Sequence, residues 1–537
     1  MIQRNHLLWI LLAVVWFGTL GYRDLIKTDE GRYAEIAREM AVSGDWLTPR
    51  LDDLKYFEKP PLQYWATASA FKIFGTTEWP ARLWPALTGF LGVLLAAYAG
   101  RRLFGAEVGA SAAAILVSTL LYAAIGHFNT LDMGFAFFLE LAVFAFIFAQ
   151  GGHARWMLVA WAALAFAVLS KGIAAPVLTG ATLVLYSLVS RDVSPWRKLR
   201  LLPGLTLFLI IAAPWFVAVS VVNPEFPYFF FIHEHFERFL TTVHGRYEPA
   251  WYFIPVLIVG ALPWTGLVVH STLRAWSVKA AAPFQPTRFL LLWSVVVFGF
   301  FSASGSKLPS YILPIFPALA LITAAGLADL SRKALLTHLA SIAAVALAAL
   351  LLAGRVAGMG EGDTAGEPAA GYASWLQIAA AIWLVATLAA IILVRRERYH
   401  TAILALAFGA LVAGSGALLG HQHFGRFMSA KAIAAQIRPQ VPAGVPFYSV
   451  RTYEQTLPFY LGRTLTLVDY EDELAFGIAQ EPEKWVPSMA EFKQRWNSDA
   501  DAFAVMDQTT YTELNASGLP MTLVARDARR IFVRKPS

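Results

Sequence analysis

The dominant pattern along the chain is the recurrence of long apolar runs separated by short polar junctions. A helix rises 1.5 Å per residue, so runs of this length cross a hydrocarbon core of ~30 Å. We predict thirteen membrane-spanning helices, at about 7–25, 83–100, 107–126, 131–150, 156–170, 172–190, 201–222, 251–271, 289–303, 311–328, 335–354, 373–394 and 401–420. The first run is interpreted as a retained anchor, because no small-residue cleavage site follows it.

Basic residues indicate the orientation of these helices, because they concentrate at every second junction. They are Arg4, Arg101, Arg102, Arg155, Arg191, Arg197, Lys198, Arg200, Arg274, Lys279, Arg288, Arg332, Lys333, Arg395, Arg396 and Arg398. Short basic loops remain in the cytoplasm, so the amino terminus is predicted to be cytoplasmic. An odd number of spans then places residues 421–537 on the outer side of the membrane.

The composition is typical of a membrane protein and excludes other classes of protein. The chain is 57% hydrophobic and only 15% charged, and its net charge of +7 follows from the junctions. We predict no binding of nucleic acid, because no basic face with interleaved aromatics is present. The absence of cysteine rules out disulfides and thiolate metal sites.

Two regions between the predicted spans are polar and aromatic. In the 28–80 loop, apolar side chains at helical spacing after Thr28 and Asp29 predict an amphipathic helix lying at the membrane interface. A second, half-buried helix is predicted over Leu62–Phe74. The segment 223–250 is rich in phenylalanine and is predicted to be a second interfacial loop.

The tail, residues 421–537, alternates between short apolar strands and helices, which predicts a small α/β domain. The predicted elements are a helix near Ala430–Ile437, strand Phe447–Val450, helix Glu454–Leu461, strand Thr464–Val468, helix Met489–Trp496, strand Ala502–Met506 and a hairpin of Thr522–Arg526 with Arg530–Arg534. Ser488 and Glu491 have the spacing of a capping box.

The 28–80 loop carries the leading candidates for chemistry. Asp29 and Glu30 are catalytic candidates, since a carboxylate at the membrane surface can act as a base or stabilise an oxocarbenium-like centre. The alternative is that Asp29 caps the helix that follows it or complements the helix dipole. Lys59 is presented by the rigid Pro60-Pro61 turn and suits a lipid phosphate, with Tyr56 beside it. The alternative is that Lys59 extends toward anionic lipid headgroups.

Three further ionisable residues, Asp132, Lys171 and Lys307, lie at the ends of predicted spans. Such groups are costly in a membrane and usually face a cavity or a partner. All three are predicted to emerge on the same side as Asp29 and Lys59, which indicates one polar, lipid-accessible cavity. Each could instead be a structural ion-pair partner.

A metal site is a further possibility at His233 and His235, if a carboxylate such as Glu58 approaches them. The spacing is not that of the HExxH zinc motif, and a structural histidine pair at the interface is the alternative.

Several motifs together resemble a known family. The loop with Asp29-Glu30, FEKPPLQYW at 57–65, NTLD ending at Asp132 and SKLPSYILPIFPAL at 306–319 are similar to polyprenyl-phosphate-dependent glycosyltransferases of GT-C fold, the protein O-mannosyltransferase-like superfamily. Within it, the chain resembles the bacterial aminoarabinose transferases. The resemblance covers the membrane portion, 1–420.

The resemblance implies transfer of 4-amino-4-deoxy-L-arabinose from undecaprenyl phosphate to lipid A, with inversion, in the bacterial inner membrane. It implies Asp29 and Asp132 as acidic site residues and Lys59 as a contact of the donor phosphate. We assign Lys171 and Lys307 to the same phosphate, and Tyr33 and Tyr311 to the substrate cavity. No required cofactor is expected, with a zinc ion near the site as the alternative, and a monomer is expected.

Two other functions are the alternatives. One is a glycosyltransferase that uses another polyprenyl-phosphate sugar, as the protein O-mannosyltransferases do. The other is a transporter of lipid-linked sugars, which typically shows inverted repeats and ionisable groups at the bilayer midplane. Neither feature is present in the sequence.

Overall fold

The computed structural model describes residues 2–237, 248–277, 283–358 and 366–536. It is a multi-pass helical membrane protein with an α/β domain at its carboxyl end. The helices long and apolar enough to span are Glu78–Phe104, Asp132–Gln150, Leu201–Val222, Pro286–Ala303, Pro309–Asp329, Arg332–Gly358, Pro368–Arg395 and Tyr399–Met428. Most of them leave apolar side chains exposed on the outside of the bundle, as a lipid-facing surface requires.

The remaining predicted spans correspond to shorter or bent elements. Helices Phe253–Gly260 and Thr265–Ala275 together form one element that is bent by 111° at the break between them. Three apolar helices of 10–17 residues are Ala106–Ser118, Trp156–Lys171 and Ala174–Ser190. With Ile2–Phe17, these elements follow the predicted segments in order. The number that crosses the bilayer stays a prediction.

The 28–80 loop folds into a compact unit. Helix Asp29–Ser43 ends at Gly44, whose left-handed φ of 75° suits glycine. Strands β1 (Arg50–Leu51) and β2 (Leu54–Lys55) form a hairpin. Helix Leu62–Phe74 then confirms the predicted one.

The first loop helix, predicted to lie at the membrane interface, is enclosed by protein on both its apolar and its polar faces. Every residue from Glu30 to Met40 is buried, polar ones included. The helix packs against Leu62–Phe74 on one side and the carboxyl-terminal domain on the other. A Cβ at Gly31 would lie 2.7 Å from the Gln455 backbone, so the loop helix and the carboxyl-terminal domain are in close contact there. Sequence periodicity detected one apolar face, but the domain covers the polar face as well.

The carboxyl-terminal domain confirms the predicted α/β architecture. Its strands are β3 Phe447–Val450, β4 Thr466–Val468, β5 Phe503–Met506, β6 Thr522–Arg526 and β7 Ile531–Arg534. The sheet has the strand order β4-β3-β5-β7-β6, where β3 is parallel to β4 and β5, and β7 is antiparallel to β5 and β6. The α-helices are Gln422–Met428, Lys431–Ile437, Leu457–Leu461, Ala475–Gln480, Met489–Ser498 and Gln508–Ala516. Half of the predicted capping box forms: Ser488 Oγ accepts from the Glu491 N–H at 3.2 Å.

Specific contacts dock this domain onto the loop. The Leu465 N–H donates to Asp52 Oδ1 at 2.7 Å. Lys431 Nζ lies 2.7 Å from a carboxylate oxygen of Glu78 and 3.1 Å from one of Asp24. Buried and partly buried contacts of this kind hold the domain in one orientation over the helices of the loop.

Candidate active site

Asp29 lies within the first turn of its helix and is not the capping residue. The N-cap position is Thr28, whose side chain makes no capping bond. The Asp29 carboxylate is 29% exposed and lies 3.5 Å from Arg32 Nη1. It is therefore held by a cation but open to a substrate.

Glu30, next to it, points the opposite way. Its side chain is buried and accepts from Arg82, with Nε to Oε1 at 2.7 Å and Nη2 to Oε2 at 2.9 Å. It also accepts from the Asn129 N–H at 3.0 Å. Burial raises the pKa of Glu30, but the charge and hydrogen bonds of Arg82 outweigh burial and leave that pKa below its usual value. This placement favours a structural role for Glu30.

Arg32 is a site residue that sequence analysis missed. Its guanidinium forms an ion pair with Glu473 of the carboxyl-terminal domain. The two side chains are nearly buried, with 7% and 10% exposed. No local pattern links positions so distant in sequence. The available signal was that Arg32 lies next to Tyr33, on the apolar side of the loop helix. An arginine that is buried at such a position needs an anionic partner.

Three tyrosines surround this ion pair. The rings of Tyr33 and Tyr64 lie 6.1 Å apart, and all three of Tyr33, Tyr56 and Tyr64 are buried. Burial raises the pKa of each phenol well above its usual value, so the hydroxyls stay protonated. The Tyr56 and Tyr64 hydroxyls find no hydrogen-bond partner within the described ranges. These polar groups can receive a hydroxylated ligand.

The Lys59 ammonium lies between two acceptors. It donates to the Glu58 carbonyl at 2.8 Å and to Glu234 Oε2 at 3.1 Å. Glu58 and Glu234 also contribute to the raised pKa of Tyr64, as does Asp29. Asp29, Lys59 and the tyrosines therefore belong to one cluster, which the sequence predicted in part.

Asp132 and Lys171 form an ion pair with each other. Lys171 Nζ also lies 4.3 Å from the centre of the Tyr311 ring. The bond from Asn129 to Glu30 holds the segment before Asp132 against the 28–80 loop. The structure thus joins three predicted residues, Asp132, Lys171 and Tyr311, into a second group.

Lys307 is held by main-chain carbonyls. It donates to Ser304 O at 2.6 Å and to Glu248 O at 2.7 Å. Its side chain is buried, so these bonds fix the turn before Pro309–Ile315.

The described residues do not fit a metal site. The His233 ring stacks on Phe229 with centroids 5.3 Å apart, and Glu58 lies 3.9 Å from Lys59. Among the described residues, no group of three or more histidines and carboxylates is placed to hold a metal ion, whereas zinc usually takes at least three protein ligands. The His235 side chain lies outside the described residues.

Comparison with known proteins agrees with this architecture. Residues 58–217 match the dolichyl-phosphate-mannose-protein mannosyltransferase family, and residues 433–535 match the aminoarabinose transferase C-terminal domain. The crystal structure of ArnT from Cupriavidus metallidurans bound to undecaprenyl phosphate superposes with a TM-score of 0.95 at 38% identity, covering 100% of this chain and 99% of that one. The Archaeoglobus fulgidus oligosaccharyltransferase, at 14% identity and a TM-score of 0.50 over 93% of this chain and 69% of that one, shares the fold alone.

Several curated relatives are named undecaprenyl phosphate-alpha-4-amino-4-deoxy-L-arabinose arabinosyl transferase. One from Sodalis glossinidius is 35% identical over 70% of this chain and 72% of its own length. One from Pseudomonas fluorescens is 34% identical over 60% of this chain, and the match spans 56% of that relative's length. The fold is therefore of the GT-C class of membrane glycosyltransferases. The chain belongs to the undecaprenyl phosphate-aminoarabinose arabinosyl transferase family.

Proposed function

We propose that the protein transfers 4-amino-4-deoxy-L-arabinose from undecaprenyl phosphate to a phosphate of lipid A. The observation that carries the proposal is the cluster of Asp29, Lys59, the buried tyrosines and the Arg32–Glu473 pair, in a chain of this family. The cluster combines the groups that a cationic sugar linked to an anionic phosphate requires.

The sugar is proposed to bind beside Tyr33, Tyr56 and Arg32. Phenol hydroxyls that lack partners in the described structure suit sugar hydroxyls. Glu473 is ion-paired with Arg32, and burial raises the pKa of its carboxyl despite the opposing charge of Arg32. A second cation close by, the sugar's ammonium group, favours its ionised form.

The donor phosphate is proposed to bind Lys59 and Lys171. Both ammonium groups are already positioned, by Glu234 and Asp132 respectively. When C1 of the sugar is attacked, the bond from C1 to the donor phosphate oxygen breaks and its electron pair leaves on undecaprenyl phosphate. The two lysines stabilise that developing charge. Asp132 then acts by positioning Lys171, and Lys307 shapes the adjoining turn.

The acceptor phosphate needs little activation. A phosphate monoester has a second pKa near 6 and is a competent nucleophile at neutral pH. Attack from the face opposite the leaving phosphate inverts C1. Asp29 is therefore proposed to stabilise the oxocarbenium-like centre rather than to remove a proton. The lysines neutralise the leaving group, so no metal is required, and any ion at His233 and His235 would order the loop only.

The reaction is proposed to occur on the periplasmic face of the bacterial inner membrane, with a cytoplasmic amino terminus and a monomeric enzyme. The alternation of basic junctions supports this orientation. Adding an aminosugar reduces the negative charge of lipid A and confers polymyxin resistance.

One other activity has a specific observation in its favour. The match of residues 58–217 to protein mannosyltransferases fits transfer of another polyprenyl-phosphate sugar. An acceptor hydroxyl would then require a true base, and Asp29 would take that role.

Reconstitution tests the choice between these activities. The purified protein in nanodiscs is supplied with undecaprenyl-phosphate aminoarabinose and lipid A, and products are identified by mass spectrometry. Aminoarabinose on a lipid A phosphate supports the proposal. Transfer from a mannosyl donor to a peptide hydroxyl, with lipid A unmodified, would replace it with the alternative.

A further inference from the structure

A basic surface adjoins the loop on the side of the last membrane helix. Helix Tyr399–Gly420 continues into Gln422–Met428, on which Arg426 and Phe427 are exposed. The Lys27 N–H donates to Met428 O at 3.3 Å, which brings the loop against this helix. The Arg529 guanidinium lies 6.0 Å from the centre of the Phe427 ring. We call Lys27, Arg426, Phe427 and Arg529 the cationic patch.

The patch carries excess positive charge. Arg529 shares Glu454 with Arg530, and burial followed by the charge of Arg529 lowers the pKa of Lys27. In the part of the chain that the structure describes, Lys27 and Arg426 form no ion pair. By contrast, Lys59 and Lys171 are each paired with a carboxylate. The patch is therefore less neutralised than Lys59 and Lys171, and it is the more favourable place for an anion to bind.

An apolar groove of about 450 Å³ lies within the helical bundle. Its lining includes Leu120, Leu262, Val356, Leu376, Trp383 and Ala417. Tyr372 lines it as well, and the Tyr372 ring lies 5.3 Å from Phe424 on the helix that carries Arg426. The groove thus approaches the cationic patch through the Tyr372–Phe424 contact.

A separate apolar groove of about 260 Å³ is formed by other helices. It is lined by Ala142, Phe146, Ala160, Leu183, Phe289 and Trp293, on helices that include those bearing Asp132 and Lys171. The two grooves share no lining residue. The bundle can therefore hold two hydrocarbon chains on different sides.

We propose that the cationic patch and the 450 Å³ groove form the binding site of the acceptor lipid, with its phosphate on Lys27 and Arg426 and an acyl chain in the groove. The inference rests on the proposed function and specifies where its second substrate binds. Lys27 is two residues from Asp29, so a phosphate on the patch borders the reaction centre. The donor phosphate reaches that centre from Lys59 and Lys171.

The patch is tested with the double variant Lys27→Ala/Arg426→Ala in nanodiscs, at varied lipid A and fixed donor. Loss of two cationic contacts is expected to raise the acceptor KM about tenfold, while kcat and the donor KM change by less than about twofold. Arg396→Ala removes an exposed arginine beyond the other end of the same helix and should leave the acceptor KM unchanged. An unchanged acceptor KM in the double variant overturns the proposal, as does a donor KM that rises equally.

The groove is tested by substituting each of two glycines on helix Tyr399–Gly420 with phenylalanine. A Cβ at Gly414 or Gly416 meets no atom within 4 Å, so both tolerate a larger side chain. Gly414 lines the groove, and Gly416 lies outside the lining. Gly414→Phe should raise the acceptor KM, and Gly416→Phe should not. Equal effects of the two variants count against the groove.

Lipid retention separates this inference from the proposed function. Native mass spectrometry counts lipid A or phosphatidylglycerol retained by the wild type and by Lys27→Ala/Arg426→Ala. Loss of lipid A alone in the variant supports the site, even if the wild type transfers no aminosugar. Equal loss of both lipids shows only general attraction to anionic headgroups and overturns the proposal.

Discussion

Arg32 of the loop helix is ion-paired with Glu473 of the carboxyl-terminal domain, where the two domains meet. The domain therefore contributes a charged group to the candidate active site instead of merely covering it. Because Glu473 also contacts Gln455 at 2.9 Å, its carboxylate is fixed from within the domain.

If this carboxylate binds the ammonium group of the donor sugar, Glu473→Ala should raise the donor KM about tenfold, the effect of losing one charged contact of ~1.4 kcal/mol. Glu473→Asp should restore part of that affinity. Glu483→Gln, an exposed position in the same domain, is the control. Steady-state kinetics with varied donor measures the effect, and a normal donor KM in Glu473→Ala would reduce the pair to a docking contact.

Asp29→Asn is expected to lower transfer at least about 100-fold, because a carboxylate aimed at developing positive charge acts mainly in the transition state. The variant should remain folded and inserted, since Asp29 is partly exposed and its ion pair with Arg32 is long, at 3.5 Å. Asp53→Asn, in the same loop, is the control. Normal activity of Asp29→Asn, measured by lipid A mass or polymyxin survival, would leave Asp29 with a role in the helix dipole only.

Lys59→Ala should be far more damaging than Lys72→Ala. Lys59 is fixed by Glu58 and Glu234 at the proposed phosphate site, whereas Lys72 lies over the Trp46 ring at 5.6 Å. The expected defect is weaker binding of the donor, seen as a raised donor KM. Equal kinetics of Lys59→Ala and Lys72→Ala would show that Lys59 does not bind the donor phosphate.

Glu30→Ala should reduce stability more than activity per folded molecule. It would leave the Arg82 guanidinium buried without its carboxylate, a change that typically costs about 3–5 kcal/mol. Thermal unfolding in detergent should show a much lower midpoint than for Asp29→Asn. Similar midpoints for the two variants would contradict the structural role assigned to Glu30.

The orientation gives an independent prediction. A reporter active only outside the cytoplasm should be active when fused after residue 420 and silent when fused at Arg197. The reverse result would place the Asp29 cluster in the cytoplasm, away from lipid A in the outer leaflet.

Sequence periodicity was sufficient for the local elements. Helix Leu62–Phe74 and strand Phe447–Val450 appear where they were predicted, because apolar spacing and turn residues encode them directly. Asp29, Lys59, Asp132 and Lys171 could be proposed as site residues from the sequence, because ionisable groups near a membrane are rare.

Long-range pairing could not be predicted in the same way. Glu30 and Arg82 are 52 positions apart, and nothing local distinguishes Glu30 from Asp29 as the buried member. The burial of both faces of helix Asp29–Ser43 could not be predicted for a related reason, since only the tertiary fold shows that the carboxyl-terminal domain covers its polar face.

The most direct test compares lipid A from bacterial cells that lack this chain, express it, or express Asp29→Asn. Lipid A phosphates should carry aminoarabinose, detected by mass spectrometry, only when the unaltered chain is present and the undecaprenyl-phosphate donor is made. Unmodified lipid A in those cells, with the protein folded in the membrane, would contradict the proposed activity.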